Sequence, residues 1–136
     1  MRLLIDTNVI LDACLSREPW REAAERLIVA CAEEKVTGCV TASSITDIYY
    51  ILNKTLHSTE QAKQSVQKII TILDVLDVNG TDSERALDLP LSDYEDALLA
   101  CCAKRHKAEY IVTRNLKHFE GSPLKVISPG DLLKVF

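Results

Sequence analysis

The 136-residue sequence lacks a long apolar run. Its longest stretch without Asp, Glu, Lys or Arg is Val36–Thr46, eleven residues, against the roughly 20 that a membrane-spanning helix needs. A secretory leader is not expected either, because Asp6 interrupts the apolar start Met1-Arg2-Leu3-Leu4-Ile5. The expected location is cytoplasmic, away from membranes. Positive charge is not in excess: 16 Lys and Arg face 20 Asp and Glu, a formal charge of -4. That balance argues against a protein that coats nucleic acid through clustered cations. It leaves room for an enzyme that meets phosphates through bound metal ions, and it suits a basic partner chain. No C-x-x-C pair occurs. The five cysteines, Cys14, Cys31, Cys39, Cys101 and Cys102, are odd in number and mostly lie in apolar periods, so they read as reduced packing thiols. His57, His106 and His118 are too scattered for a zinc-ligand pattern. With no repeat, low-complexity segment or Pro/Gly/Ser-rich linker, residues 1–136 read as a single domain, long enough to bury about two-thirds of its unfolded surface.

What is present is an alternation of strand and helix signals. Leu3-Leu4-Ile5 fits a strand buried on both faces. Pro19 is placed to open a helix at its first position, followed by Trp20, Ala23, Ala24, Leu27, Ile28 and Cys31 at helical spacing. Gly38–Thr41 reads as a second strand, with Thr41 or a nearby Ser capping a helix through Ile45, Ile48, Tyr49 and Leu52. Capping boxes are predicted at Ser58/Gln61, Thr81/Glu84 and Ser92/Glu95. The first leads a helix through Ala62, Val66, Ile69, Ile70 and Leu73, and the third leads the apolar helix 97–103. Asp74–Val78, Tyr110–Thr113 and Lys125–Ile127 supply further strands. Ser128-Pro129-Gly130 opens a last helix ending near Phe136. The fold class is α/β with a mainly parallel sheet.

In such sheets ligands sit outside the carboxyl ends of the strands. Asp6 ends the first strand, followed by Thr7 and Asn8. Asp47 lies about a turn and a half into the helix after the second strand. Asp93 and Asp96 open the helix after the third, and Thr113, Arg114 and Asn115 end the fourth. Taken singly, several have plain structural roles. Asp93 complements a helix dipole, Asn115 closes a turn, and Asp12, one helical turn past Asn8, either faces solvent or supports the acids from behind. Asp47 and Asp96 interrupt apolar surface, and carboxylates there call for a partner or a metal. Gathered together, the four aspartates repel one another unless a cation compensates. Hard divalent ions, Mg²⁺ or Mn²⁺, suit such oxygen ligands and serve phosphoryl chemistry.

Four segments in order, Leu3–Asp12, Ser43–Leu52, Asp93–Leu98 and Ile111–Phe119, together with Val126–Leu133, resemble the PIN domain family, in particular its small prokaryotic members such as VapC-type toxins. The resemblance implies a three-layer α/β/α sandwich with a five-stranded sheet in the order 3-2-1-4-5. It implies a Mg²⁺- or Mn²⁺-dependent nuclease, usually an endoribonuclease leaving a 5′-phosphate and a 3′-hydroxyl, often a homodimer. In the toxins it implies inhibition by a cognate antitoxin. By position, Asp6 and Asp96 match the first and third family acids. Asp47 stands where Glu is commoner, Asn115 where Asp is common, and Asp93 matches an acid found in part of the family. These four aspartates become the expected metal-binding and catalytic set. Thr7, Asn8, Thr113 and Asn115 would orient water or phosphate, and Arg114 and Lys117 would contact the RNA backbone. The shorter Asp47 and the uncharged Asn115 motivate an alternative, a non-catalytic PIN-like domain that binds RNA or protein. A phosphatase of the haloacid dehalogenase type is disfavoured, because it would want an aspartate where Asn8 stands. Tyr49, Tyr50 and Leu52 fit either a dimer face or core packing.

Overall fold

In the computed structural model, which describes residues 1–135, five strands form one sheet. They are β1 (Arg2–Ile5), β2 (Thr37–Thr41), β3 (Asp74–Leu76), β4 (Tyr110–Val112) and β5 (Lys125–Ile127), in the order β3-β2-β1-β4-β5. Every pairing is parallel; Leu4 lies level with Cys39 on one side and Ile111 on the other. The expected order is the observed one.

Side chains alternate across the sheet, and two cores result. Leu3, Ile5 and Val40 face one layer, built from α1 (Thr7–Cys14), α2 (Arg21–Ala32), α3 (Ala42–Leu56), α4 (Thr59–Ile72) and α7 (Pro129–Leu132). Leu4, Cys39 and Ile111 face the other, where α6 (Tyr94–Arg105) contributes Leu99, Ala100, Cys102 and Ala103, joined by Phe119. The buried side of α6 is mostly Ala and Cys. α5 (Gly80–Ala86) packs beside α6.

Several local expectations shift. The sequence reading carried helix between β1 and Pro19 only through the Asn8–Asp12 turn, whereas α1 runs eight residues from Thr7. Pro19 does not open α2. Its peptide bond with Glu18 is cis, residues 18–20 form a turn, and the helix begins at Arg21. Ile70 faces solvent. At α5 the N-cap is Asn79, paired reciprocally with Asp82, in place of Thr81 with Glu84. At α6 it is Asp93, whose carboxylate accepts from the Asp96 N–H at 3.2 Å, in place of Ser92 with Glu95. Thr41, Ser58 and Ser128 cap as expected. The last helix stops at Leu132, and its expected end near Phe136 lies outside the described residues. Among the described residues no helix is long and apolar enough to cross a membrane.

Candidate functional site

At the carboxyl edge of the sheet lies an open cleft of about 440 Å³. Its lining includes Asp6, Thr7 and Asn8 from the β1–α1 junction, Asp47 and Tyr50 from α3, Asp93, Glu95 and Asp96 from the start of α6, and Asn115 and His118 from the segment after β4. All four expected aspartates reach it. So do Thr7, Asn8 and Asn115.

Asp6 is the deepest of the acids, 7% exposed. Strand β1 ends there because α1 starts at once; the Asp6 carbonyl accepts from the Val9 N–H at 3.0 Å. Its Oδ2 accepts from the fully buried Thr113 hydroxyl at 2.9 Å, and Thr113 Oγ1 accepts in turn from the Asn115 N–H at 3.0 Å. Thr113 therefore works from beneath the cleft, aiming one acid and fixing the backbone of another lining residue. Burial raises the Asp6 carboxyl above the usual range, although the Thr113 bond, a backbone bond from Thr7 and the nearby His118 and Arg114 oppose the rise.

Asp96 is half-buried one turn into α6. Burial, and after it the charges of Asp93 and Asp6, push its carboxyl up to about 6, with His118 opposing. Glu95 is also raised, first by partial loss of hydration, then by a shared-proton contact with Asp47 and by its charge, then by Asp93 and Asp96. Acids gathered this closely raise one another's affinity for protons. Asp47 is exposed at the rim rather than sunk in apolar surface, because it lies on the solvent side of α3 beside Tyr50, itself 65% exposed. Leu52 is wholly buried, so of the residues considered for a dimer face it belongs to the core.

Glu95 and His118 are cleft residues that the sequence reading missed. Glu95 was assigned to a cap; moving the cap one residue on, to Asp93, turns it toward α3. His118, set aside with the other scattered histidines, is exposed, and the short 3-10 turn Leu116–Phe119, anchored by buried Phe119, holds it over the acids.

One expectation about charge is redrawn. Asp12 does not face solvent; it is 1% exposed and paired with Arg114 at 2.8 Å and Arg17 at 3.7 Å. Arg114 is thereby committed to Asp12 and to the ring of Trp20, 3.8 Å from its centroid. Lys117 stands exposed on the 3-10 turn.

Among the described residues, no three His, Cys, Asp or Glu side chains close on a single point as ligands of a dehydrated ion. The donor set is nevertheless all oxygen and strongly anionic. That chemistry fits an ion such as Mg²⁺, which keeps several of its waters and uses one or two carboxylates directly.

A family model described as PIN domain matches residues 2–117. No curated protein matches the sequence. Among solved structures, the chain resembles one in the DNA-bound VapBC complex from Salmonella typhimurium, with a TM-score of 0.72, 20% identity, and coverage of 95% of this chain and 98% of that one. It resembles a chain of VapBC2 from Rickettsia felis, bound to a promoter DNA fragment, at TM-score 0.71 and 18% identity, covering 94% and 98%. It also resembles Mycobacterium tuberculosis VapC20, a Sarcin-Ricin loop cleaving toxin, at TM-score 0.63 and 13% identity, covering 80% and 86%. At these identities the likeness is one of fold.

Proposed function

The chain belongs to the PIN domain family, and on that premise we propose that it is a divalent-metal-dependent endoribonuclease, the toxin of a toxin–antitoxin pair. One observation carries this reading: three separate elements bring Asp6, Asp47, Asp93, Glu95 and Asp96 to one cleft, at a cost in mutual repulsion that a bound cation would offset. The VapBC complexes and the RNA-cleaving VapC20 among its structural relatives support the same direction.

Asp6 and Asp96 would hold Mg²⁺ or Mn²⁺, with Asp93 and Asp47 completing the set through water. Such an ion, when bound, supplies Lewis acidity toward a phosphodiester and lowers the pKa of water. The chain's own residues do the rest. Thr113 holds Asp6 in one orientation. Thr7, Asn8 and Asn115 present polar groups to water or phosphate at the cleft wall. His118 favours the ionised forms of Asp6 and Asp96, and Lys117, exposed on the 3-10 turn, would meet the RNA backbone. The partners proposed are RNA, a cognate antitoxin and a second copy of the chain, in the cytoplasm.

The test is cleavage of a structured RNA pool with Mg²⁺ or Mn²⁺ against EDTA, with Asp96→Ala as control. Metal-dependent cleavage lost in the variant is the expected result. Metal-dependent cleavage retained by Asp96→Ala would remove the assignment. One observation favours the second reading, a non-catalytic RNA- or protein-binding domain: the acids do not converge as a ready ligand set. That reading expects only weak millimolar metal affinity and no cleavage by either protein.

A further inference from the structure

Trp20 is the chain's one tryptophan. It is 42% exposed, yet its ring is held. The Arg114 guanidinium covers one face at 3.8 Å. Arg114 is fixed in turn by Asp12, with Nε donating to Oδ2 at 2.8 Å and Nη2 to Oδ1 at 3.5 Å. Asp12 is buried, and Arg17 lies 3.7 Å from its other oxygen. The α1–α2 loop closes on the same residue, the Arg17 N–H donating to the Asp12 carbonyl at 3.1 Å, with Ser16 in the left-handed region at φ 54°. A buried carboxylate and two arginines thus orient an aromatic ring that stays open to water.

The position is as informative as the rigidity. Arg114 lies between Thr113, which holds Asp6, and Asn115, which lines the cleft. Arg114 is also close enough to Asp6 to influence its charge. Through Arg114 the ring is tied to the segment after β4 that supplies Asn115 and His118 to the cleft. An anionic cleft in a chain of charge -4 gains little from long-range attraction of a polyanion. Contacts that do not depend on charge then add to what Lys117 and a bound ion would supply, and base stacking on an aromatic face is the main one. Unpaired bases in RNA loops are recognised in this way.

We propose that the open face of Trp20 stacks on an unpaired nucleobase of the RNA whose backbone enters the cleft, with Arg114 acting as the positioning residue beneath it. This inference rests on the ribonuclease reading for its ligand. It also reassigns Arg114, expected to touch the backbone, to a role exerted through the ring.

The single tryptophan makes the test direct. A 12-nucleotide single-stranded RNA of mixed sequence is titrated in Ca²⁺, its integrity checked on a gel, while Trp20 emission and the anisotropy of end-labelled RNA are followed together. Emission quenching that saturates with the anisotropy is expected. Trp20→Ala should weaken binding roughly 5- to 100-fold and Trp20→Phe should retain most of it, as loss of one stacked base implies, with thermal melting confirming that both variants fold. In turnover with Mg²⁺ or Mn²⁺, Trp20→Ala should raise KM more than it lowers kcat. RNA binding with unchanged emission, and equal affinity in Trp20→Ala, would overturn the proposal and leave the ribonuclease standing. Absence of both binding and cleavage would overturn the two together. An emission shift that follows protein concentration and ignores RNA would place the ring between copies of the chain, and would also overturn it.

Discussion

A carboxylate in the first turn of a helix ordinarily gains from the positive end of the dipole, by about 0.3–1 kcal/mol. Asp96 has that advantage and is still pushed up to about 6, so burial and its acidic neighbours outweigh the dipole. The sign of the consequence follows. The folded carboxyl binds its proton more tightly than the unfolded one, near 3.9. Stability is therefore lost as pH rises from about 4 to about 6, and the penalty is complete above that. In metal-free buffer, Asp96→Asn should melt a few degrees above the wild type at pH 7.5, and the two should converge below about pH 4. Differential scanning fluorimetry across pH checks both halves. A variant less stable than wild type at pH 7.5 would mean that the dipole term dominates.

The start of α6 shows what one element does for the site, and how much of it could be read in advance. Asp93 both caps the helix and presses on Asp96. Asp93→Ser keeps an oxygen for the Asp96 N–H and removes the charge; Asp93→Ala removes both. Asp93→Ser should be the more stable by about 1 kcal/mol, read from urea midpoints. In both variants the Asp96 carboxyl should titrate below 6, read by NMR. The acids at strand ends were legible because a short apolar strand ending in a polar residue fixes its own edge, and strand order followed from the family pattern. The cap was misplaced by one residue because Ser92-x-x-Glu95 and Asp93-x-x-Asp96 both satisfy the capping pattern, and only packing chooses. Asp12 was misread because its partner Arg114 lies 102 residues away; no local pattern carries such a pairing. The exposure of Asp47 escaped for the same reason, since Ile48 beside it is wholly buried and one step around a helix reverses the environment.

At the scale of the whole molecule, the second layer is fastened by charge as well as by the apolar contacts of α6. Arg105 at the end of α6 donates to both oxygens of Asp82 on α5 at 2.9 Å, and to the Asp77 carbonyl after β3 at 2.7 Å. Asp82 is 1% exposed, and the Arg105 bond holds its carboxyl below the usual range. Arg105→Met would leave the Asp82 carboxylate without its partner and should lower the stability of the fold. The loss should be greatest at neutral pH and shrink below about pH 4, as Asp82 is neutralised; chemical denaturation at pH 7 and pH 3.5 checks it. The sheet topology carries a different consequence, one of timing. Strand β1 is made first and lies at the centre, but one of its two neighbours is β4, residues 110–112. The hydroxyl that aims Asp6 belongs to Thr113. A chain still being translated therefore carries Asp6 unaimed and one side of its central strand bare until β4 and Thr113 have been made. The cleft is therefore not finished until the segment that follows β4 has been made and folded.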